Sequence, residues 1–233
     1  MKKTIFFYFS LLSLLSMAAC TQAPDSDKAG TTDAQAVTET TAGETWQVDP
    51  SASLVEWIGT KVTGYHSGAV QIKNGALQVQ NGNITSGKFV LDLAGMSVTG
   101  PAGSDKASND KLLGHLKSAD FFDVANYPEA TFEITEIATF SGTQTADMDD
   151  PRQADISKYK VANPTHNISG NLTIKNITKN IQFPARIEAM DNSVTATAKF
   201  NIDRMQWDIK YAGKPDDLIR NEIHLGIALK AAK

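Results

Sequence analysis

One cysteine carries the clearest chemical signal in this chain. Cys20 follows Met17-Ala18-Ala19 directly, and the sequence holds no second cysteine. Ahead of it stand Lys2 and Lys3, then a run from Ile5 to Leu15 made of little but apolar and small side chains. A charged start, a short apolar core and small residues at a cleavage point make an export signal. The ending resembles a lipobox, with Met17 where Leu is more usual. Cleavage after Ala19 and attachment of lipid to the Cys20 thiol are therefore expected, tying the mature protein to a membrane. The apolar run is too short to cross a hydrocarbon core of roughly 30 Å as a stable helix, so it reads as a signal and not as a transmembrane span. With Cys20 committed, no disulfide is left to staple the fold.

The remaining reactive side chains are scattered. His66, His115, His166 and His224 stand singly, with no partner at ligand spacing, so no metal site is expected. The sequence has no nucleophile elbow, His-Glu-x-x-His, phosphate loop or dinucleotide fingerprint, which argues against an enzyme and against a bound cofactor. A hydrolase reading would rest on isolated polar residues alone. Asp203 and Arg204 read as a salt bridge or a turn-fixing pair, and Asp120 and Asp123 as caps or turn residues around Phe121-Phe122. The formal charge of −4 becomes −6 once Lys2 and Lys3 are removed. An acidic chain without a basic stripe is a poor partner for nucleic acid.

Any binding chemistry must then come from apolar side chains, and the elements that hold them are strands. From Thr21 to Glu44 there is no aromatic, Leu or Ile, so residues 20–45 read as lipidated cysteine plus flexible tether, because little burial offsets the entropy of ordering them. The folded domain is expected over residues 46–233. Its dominant pattern alternates with period two. Phe89, Leu91 and Leu93 share one face. Ile177, Ile181, Phe183, Ala185 and Ile187 share another, with Pro184 marking an edge, bend or bulge. Val194, Ala196, Ala198, Phe200 and Ile202 alternate with polar residues, as do Ile223, Leu225, Ile227 and Leu229 with His224, Gly226, Ala228 and Lys230. Lys73-Asn74-Gly75 and Asn81-Gly82-Asn83 read as tight turns. Near residues 108–118 the pattern changes: Leu112, Leu113 and Leu116 fall on one helical face, capped by Ser108 or Asn109, and such a helix would cover a barrel opening. Gly142 to Ala154 reads as a polar surface loop. About eight or nine half-apolar strands make a mainly antiparallel all-β fold that can close into a barrel or pack as a sandwich, and the removal of exposed edges by closure favours the barrel. A barrel of eight strands is wide enough to be filled by side chains or to hold one small ligand.

Three stretches then carry a resemblance. Trp46-Gln47-Val48-Asp49-Pro50 opens the domain. His115-Leu116-Lys117-Ser118-Ala119-Asp120-Phe121-Phe122-Asp123 continues into Tyr127-Pro128 and Ala130-Thr131-Phe132. Gly170-Asn171-Leu172-Thr173-Ile174 follows, with Ile202-Asp203-Arg204 and Trp207 near the end. Together these resemble the YceI-like family of exported lipid-binding proteins. The likeness implies a lipocalin-like barrel of about eight strands that holds a polyisoprenoid or a similar long-chain amphiphile. Asn176 stands where the family usually has glycine, and since Asn tolerates positive φ the turn should survive. The candidate ligand-binding residues are Phe89, Leu91, Ile181, Phe183, Phe200, Ile202, Leu225 and Ile227, with His115 added because the family motif sets it beside the helix. The rival is a filled barrel acting through its polar outer surface. The expected partners are a long-chain lipid or isoprenoid and a membrane reached through the anchor; self-association as a homodimer through an apolar surface stays open. The expected place is the bacterial envelope, and Thr21 after the lipidated cysteine favours the outer membrane.

Overall fold

In the computed structural model residues 22–37, 43–142 and 158–233 are described. Cys20, the signal segment and the stretch from 143 to Ala154 read as a surface loop lie outside them. Among the described residues the strands are β1 Gly30–Asp33, β2 Glu44–Val48, β3 Leu54–Lys61, β4 Gly64–Gln80, β5 Asn83–Gly100, β6 Glu129–Thr139, β7 His166–Ile174, β8 Ile177–Met190, β9 Ser193–Asp203, β10 Gly213–Lys214 and β11 Asp217–Ala232. One helix, α1, spans Lys106–Lys117 between β5 and β6. From β3 to β9 each strand pairs antiparallel with the next. Strand β9 then pairs with β11, and β11 with β3. Eight strands thus close into a barrel, and the alternating apolar residues turn inward together.

The two longest strands show how closure is achieved. β4 runs straight through Lys73-Asn74-Gly75, which is therefore a bulge and not the turn read from the sequence: its register against β5 shifts between Ile72 and Asn74. A strand of 17 residues must coil to follow a small barrel, and bulges supply the bend. The chain reverses at Asn81-Gly82, both with positive φ (53° and 77°), and again at Lys175-Asn176 (50° and 60°). Asn176 adopts the left-handed conformation that glycine would take there.

The largest departure from the sequence reading lies in the expected tether. Residues 22–37 are not free of the barrel: β1 pairs antiparallel with β8, placing Gly30 opposite Gln182 and Asp33 opposite Lys179. Pro184 explains why room exists. Ala185 and Ile187 direct their backbone groups toward β7, through bonds to Thr165, so Pro184 faces β9, where it has no N–H to give. The β8–β9 ladder ends at Ala185 and Ala198, and the N-terminal arm enters the splay beyond.

Asn201 of β9 receives the arm. Its carbonyl accepts the Ala29 N–H at 2.9 Å and its N–H donates to Asp27 at 2.7 Å. Its side-chain amide donates to the Pro24 carbonyl at 2.9 Å. The remaining oxygen, Oδ1, lies 2.9 Å from His224 Nδ1, and because an amide oxygen only accepts, His224 carries its proton on Nδ1. Outside the seam, Lys28 pairs with Glu222 and Lys179 with Asp33. Sequence composition argued for a tether because the arm is poor in apolar area; backbone bonds to an open edge hold it instead.

Helix α1 begins before Ser108. Asp105, not Ser108 or Asn109, is the cap: its carboxylate accepts the Ser108 N–H at 2.9 Å and the Ser108 hydroxyl at 2.7 Å, which satisfies an orphan donor of the first turn. Lys117 Nζ, at the other end, donates to the Ala94 carbonyl at 2.6 Å and ties the helix to β5.

Two outcomes follow from the seam. Asn201→Ala should lower stability by about 1–3 kcal/mol, since a half-buried carbonyl and a buried imidazole lose their partner; hydrogen–deuterium exchange should rise over residues 27–33 while β7 keeps its protection. His224 has a pKa lowered to about 4 by burial and by Lys199. An imidazole that stays neutral in the fold contributes stability above its unfolded pKa of ~6.5 that is lost as pH falls toward 4. His224→Gln, compared with the parent by denaturant titration between pH 7 and pH 4, should remove that share of the acid sensitivity.

Candidate functional site

The barrel is not packed solid. Its inner part is a chamber of about 120 Å³, lined by apolar side chains and Thr197. Phe89, Phe132, Phe183 and Phe200 form a connected series along its wall: Phe183 stacks on Phe200 with centroids 4.1 Å apart, Phe132 lies 5.8 Å from Phe183, and Phe89 6.3 Å from Phe132. Aromatic rings in such a row are rigid and hold space that flexible chains would fill. A second chamber of about 370 Å³ continues from it toward the α1 end, and both share Val55, Leu91, Leu172 and Leu225 in their walls.

The helix and the loops after it make the outer chamber. Leu112 and Leu116 of α1 line it, as do Phe121 and Phe122; Leu113 packs on the core cluster. The helix therefore covers the barrel opening as its apolar spacing required. Trp207 closes the floor between β7 and the segment after β9. It is fully buried, and its indole donates to the Leu172 carbonyl at 3.0 Å. Asp203 caps the short 3-10 turn Arg204–Trp207 by accepting the Met205 N–H at 2.9 Å. Arg204 is buried and donates to the carbonyls of Arg220 and Ile209. The pair thus fixes a turn, each residue through backbone groups, and burial lowers the Arg204 pKa.

All eight apolar residues named from alternation line this cavity. Phe89, Leu91, Ile181, Phe183, Phe200, Leu225 and Ile227 border the inner chamber, and Ile202, Leu91 and Leu225 the outer one. His115 does not belong to the lining. It stands on the outer side of α1, with Nε2 at 2.9 Å from Asp120 Oδ2. Its ring meets Phe121 edge-on at 5.0 Å and Tyr211 at 4.7 Å. Both of those rings do line the outer chamber, so His115 positions wall residues from behind. Asp120 serves that histidine, and Asp123 turns the chain with φ 47° and accepts from Asn126.

Besides the buried Arg204, charge around the outer chamber comes from Lys61, Asp217 and the exposed Lys214. Lys61 pairs with Asp217, whose carboxylate also accepts the Thr63 N–H and hydroxyl at 3.0 and 2.9 Å. These bonds hold Asp217 down to about 2. Among the described residues no group of three or more His, Cys, Asp or Glu is placed to hold a metal ion.

This closed barrel with a helix at its opening meets a family model over residues 46–231, that of the YceI-like domain. The chain belongs to this family. Two solved structures share the fold of this YceI-like barrel. BcnA of Burkholderia cenocepacia is 20% identical, with 78% of this chain and 98% of that one covered and a TM-score of 0.54. A domain from Saccharophagus degradans, described as polyisoprenoid binding and implicated in plant cell wall breakdown, is 12% identical, with 80% and 97% covered and a TM-score of 0.52. No curated protein matches this chain.

Several wall residues escaped the sequence reading. Trp57, Met96, Trp207 and Tyr211 line the outer chamber; Trp207 and Tyr211 lie outside the strands, where alternation gives no signal, and Trp57 and Met96 lie within β3 and β5. Trp57 depends on a glycine: a Cβ at Gly68 would lie 1.9 Å from the Ser97 carbonyl oxygen and 2.6 Å from Trp57 Cζ2. Gly68→Ala should therefore cost about 1–3 kcal/mol through overpacking and displace the Trp57 ring, to be read from thermal melts together with tryptophan emission.

Proposed function

We propose that this YceI-like protein binds and carries a long-chain amphiphile, of polyisoprenoid or similar kind, while held on a bacterial envelope membrane by lipid on Cys20. The apolar two-chamber cavity supports the first half of this reading. A hydrocarbon chain entering it exchanges water for aliphatic and aromatic walls at about 25 cal/mol per Å² of apolar surface, and needs few polar groups to be held. The domain from Saccharophagus degradans, with the same fold, is described as polyisoprenoid binding. The role is binding, with no reaction assigned to it.

The anchor rests on the N-terminal pattern of Lys2, Lys3, the apolar run and Met17-Ala18-Ala19-Cys20. Thr21 after the cysteine favours the outer membrane. Docking of residues 22–37 on the β8–β9 seam brings the barrel close to such an anchor, since the described arm starts at residue 22.

Native mass spectrometry of the full-length chain, expressed with its own signal, tests both halves. The expected spectrum has a covalent increment at Cys20, absent from Cys20→Ser together with the membrane-bound fraction. It also has a non-covalent lipid that leaves on denaturation. Ile227→Trp, which fills part of the inner chamber, should shorten the chain length retained. A barrel that stays bare after incubation with envelope lipids overturns the carrier role; a Cys20→Ser protein still held on membranes overturns the anchor.

A further inference from the structure

The barrel wall between β8 and β9 is completed by the arm. The β8–β9 ladder runs in register from Met190 opposite Ser193 to Ala185 opposite Ala198 and stops there. Continued in that register, it would set Gln182 opposite Asn201. Instead Gln182 faces Gly30 and Asn201 faces Lys28, so the arm stands between the two strands at that level. Paired strands lie about 4.8 Å apart, and an inserted strand holds its neighbours about 10 Å apart. Without the arm, the wall has a slot one strand wide. Ile181 and Phe183 on the β8 side of that slot, and Phe200 and Ile202 on the β9 side, all line the cavity.

The segment that fills the slot is weakly rooted. Each of the eight barrel strands sends a buried Val, Ile, Leu or Phe into the core. Strand β2, also inserted, between β4 and β11, brings the buried Trp46 and Val48. From the arm come small side chains: Ala29, half-buried against the core cluster, and Thr31, half-buried opposite Ile181. Apart from the bonds to Asn201, the arm is held by Ser26 Oγ, which donates to the Tyr159 carbonyl at 2.5 Å. The Asn171 side chain bonds the Gln35 N–H and carbonyl at 3.0 and 2.8 Å, and the ion pairs Lys28–Glu222 and Lys179–Asp33 lie outside. Gly30, Thr32, Asp33 and Gln35 are exposed. A segment with little apolar burial and solvent-exposed bonds opens locally at a far lower free energy than the core around it.

We propose that the arm is a gate strand: its withdrawal from the β8–β9 slot opens a side portal through which the hydrocarbon chain of an amphiphile enters the cavity, and its return restores the wall. The portal presupposes the carrier role proposed above. The vacated width is that of a polypeptide strand, and an extended linear or methyl-branched hydrocarbon is no thicker. Behind the arm, Phe183 and Phe200 stack with centroids 4.1 Å apart. The entering chain passes beside that pair, between Ile181 of the inner chamber and Ile202 of the outer one. Lifting α1 instead would carry Leu112, Leu113 and Leu116 into water, whereas the arm takes with it little more than Ala29 and Thr31.

A reversible lock tests the gate. A Cβ at Gly30 would lie 3.8 Å from Gln182 Cβ, a separation that suits a disulfide, and both positions are exposed. Gly30→Cys with Gln182→Cys, in the full-length chain, pins the arm when oxidised and frees it when reduced. The protein, stripped of co-purified lipid, is mixed with phosphatidylcholine vesicles carrying an anthraniloyl-labelled polyprenol, and energy transfer from tryptophan follows entry. Oxidation should slow loading by about tenfold or more relative to the reduced form, with the parent unmoved by the same reductant. Asn201→Ala, which takes about one net hydrogen bond from the arm, should load about fivefold faster than the parent. Thermal melts confirm that each variant folds, and thiol titration that the lock has closed. Equal loading rates in the locked and unlocked forms overturn the gate and leave the carrier role standing, with entry past α1. A folded Asn201→Ala that loads no faster than the parent overturns it as well. If no form, the parent included, shows transfer at equilibrium, the carrier role fails and the gate with it.

Discussion

Closure of the backbone hydrogen-bond ladder around eight strands is the constraint on which the molecule depends. Each of β3 to β9 and β11 finds a partner on both sides, so alternation along every strand sends one set of side chains into a common interior. That interior has a width set by strand number and tilt and not by the volume of the side chains available. Alanines at 185, 196 and 198 line it together with phenylalanines and isoleucines, and small residues beside rigid rings leave space. The cavity is thus a consequence of closure with this particular mixture of sizes.

Closure is imperfect between β8 and β9, and the imperfection there has a chemical cause. Pro184 withholds the N–H that would continue the ladder between β8 and β9, and the chain supplies its own patch from residues far away in sequence. Asn201 uses its main-chain and side-chain groups together to accept that patch. The partner of its last oxygen, His224, is buried and neutral, which links the seam to pH. The arm gains little from apolar burial, so its order rests on directional bonds, and exposed ion pairs such as Lys28–Glu222 add little to them.

Polarity within the cavity is graded from one end to the other. The inner chamber is walled by phenylalanine and aliphatic residues. The outer one, under α1, mixes apolar side chains with Trp57, His66, Arg204 and the Lys61–Asp217 pair. An amphiphile matches such a gradient in only one orientation. His115 contributes to that end from outside, by holding Phe121 and Tyr211 through ring contacts and Asp120 through a hydrogen bond.

The sequence alone carried the strands, the inward-facing residues and the helix over the opening, because period-two and helical spacing are local properties that burial on one face imposes. All eight apolar lining positions were legible for that reason, and the three motif stretches pointed to the family. Lys73-Asn74-Gly75 misled because the same residues suit a turn or a bulge, and only the register between β4 and β5 separates the two. The arm misled because its docking depends on an open edge created by Pro184 some 150 residues away. Trp57, His66 and Tyr211 meet around the outer chamber only through tertiary structure: the first two come from the paired strands β3 and β4 and the third from the loop before β10, and no spacing in the chain encodes that meeting.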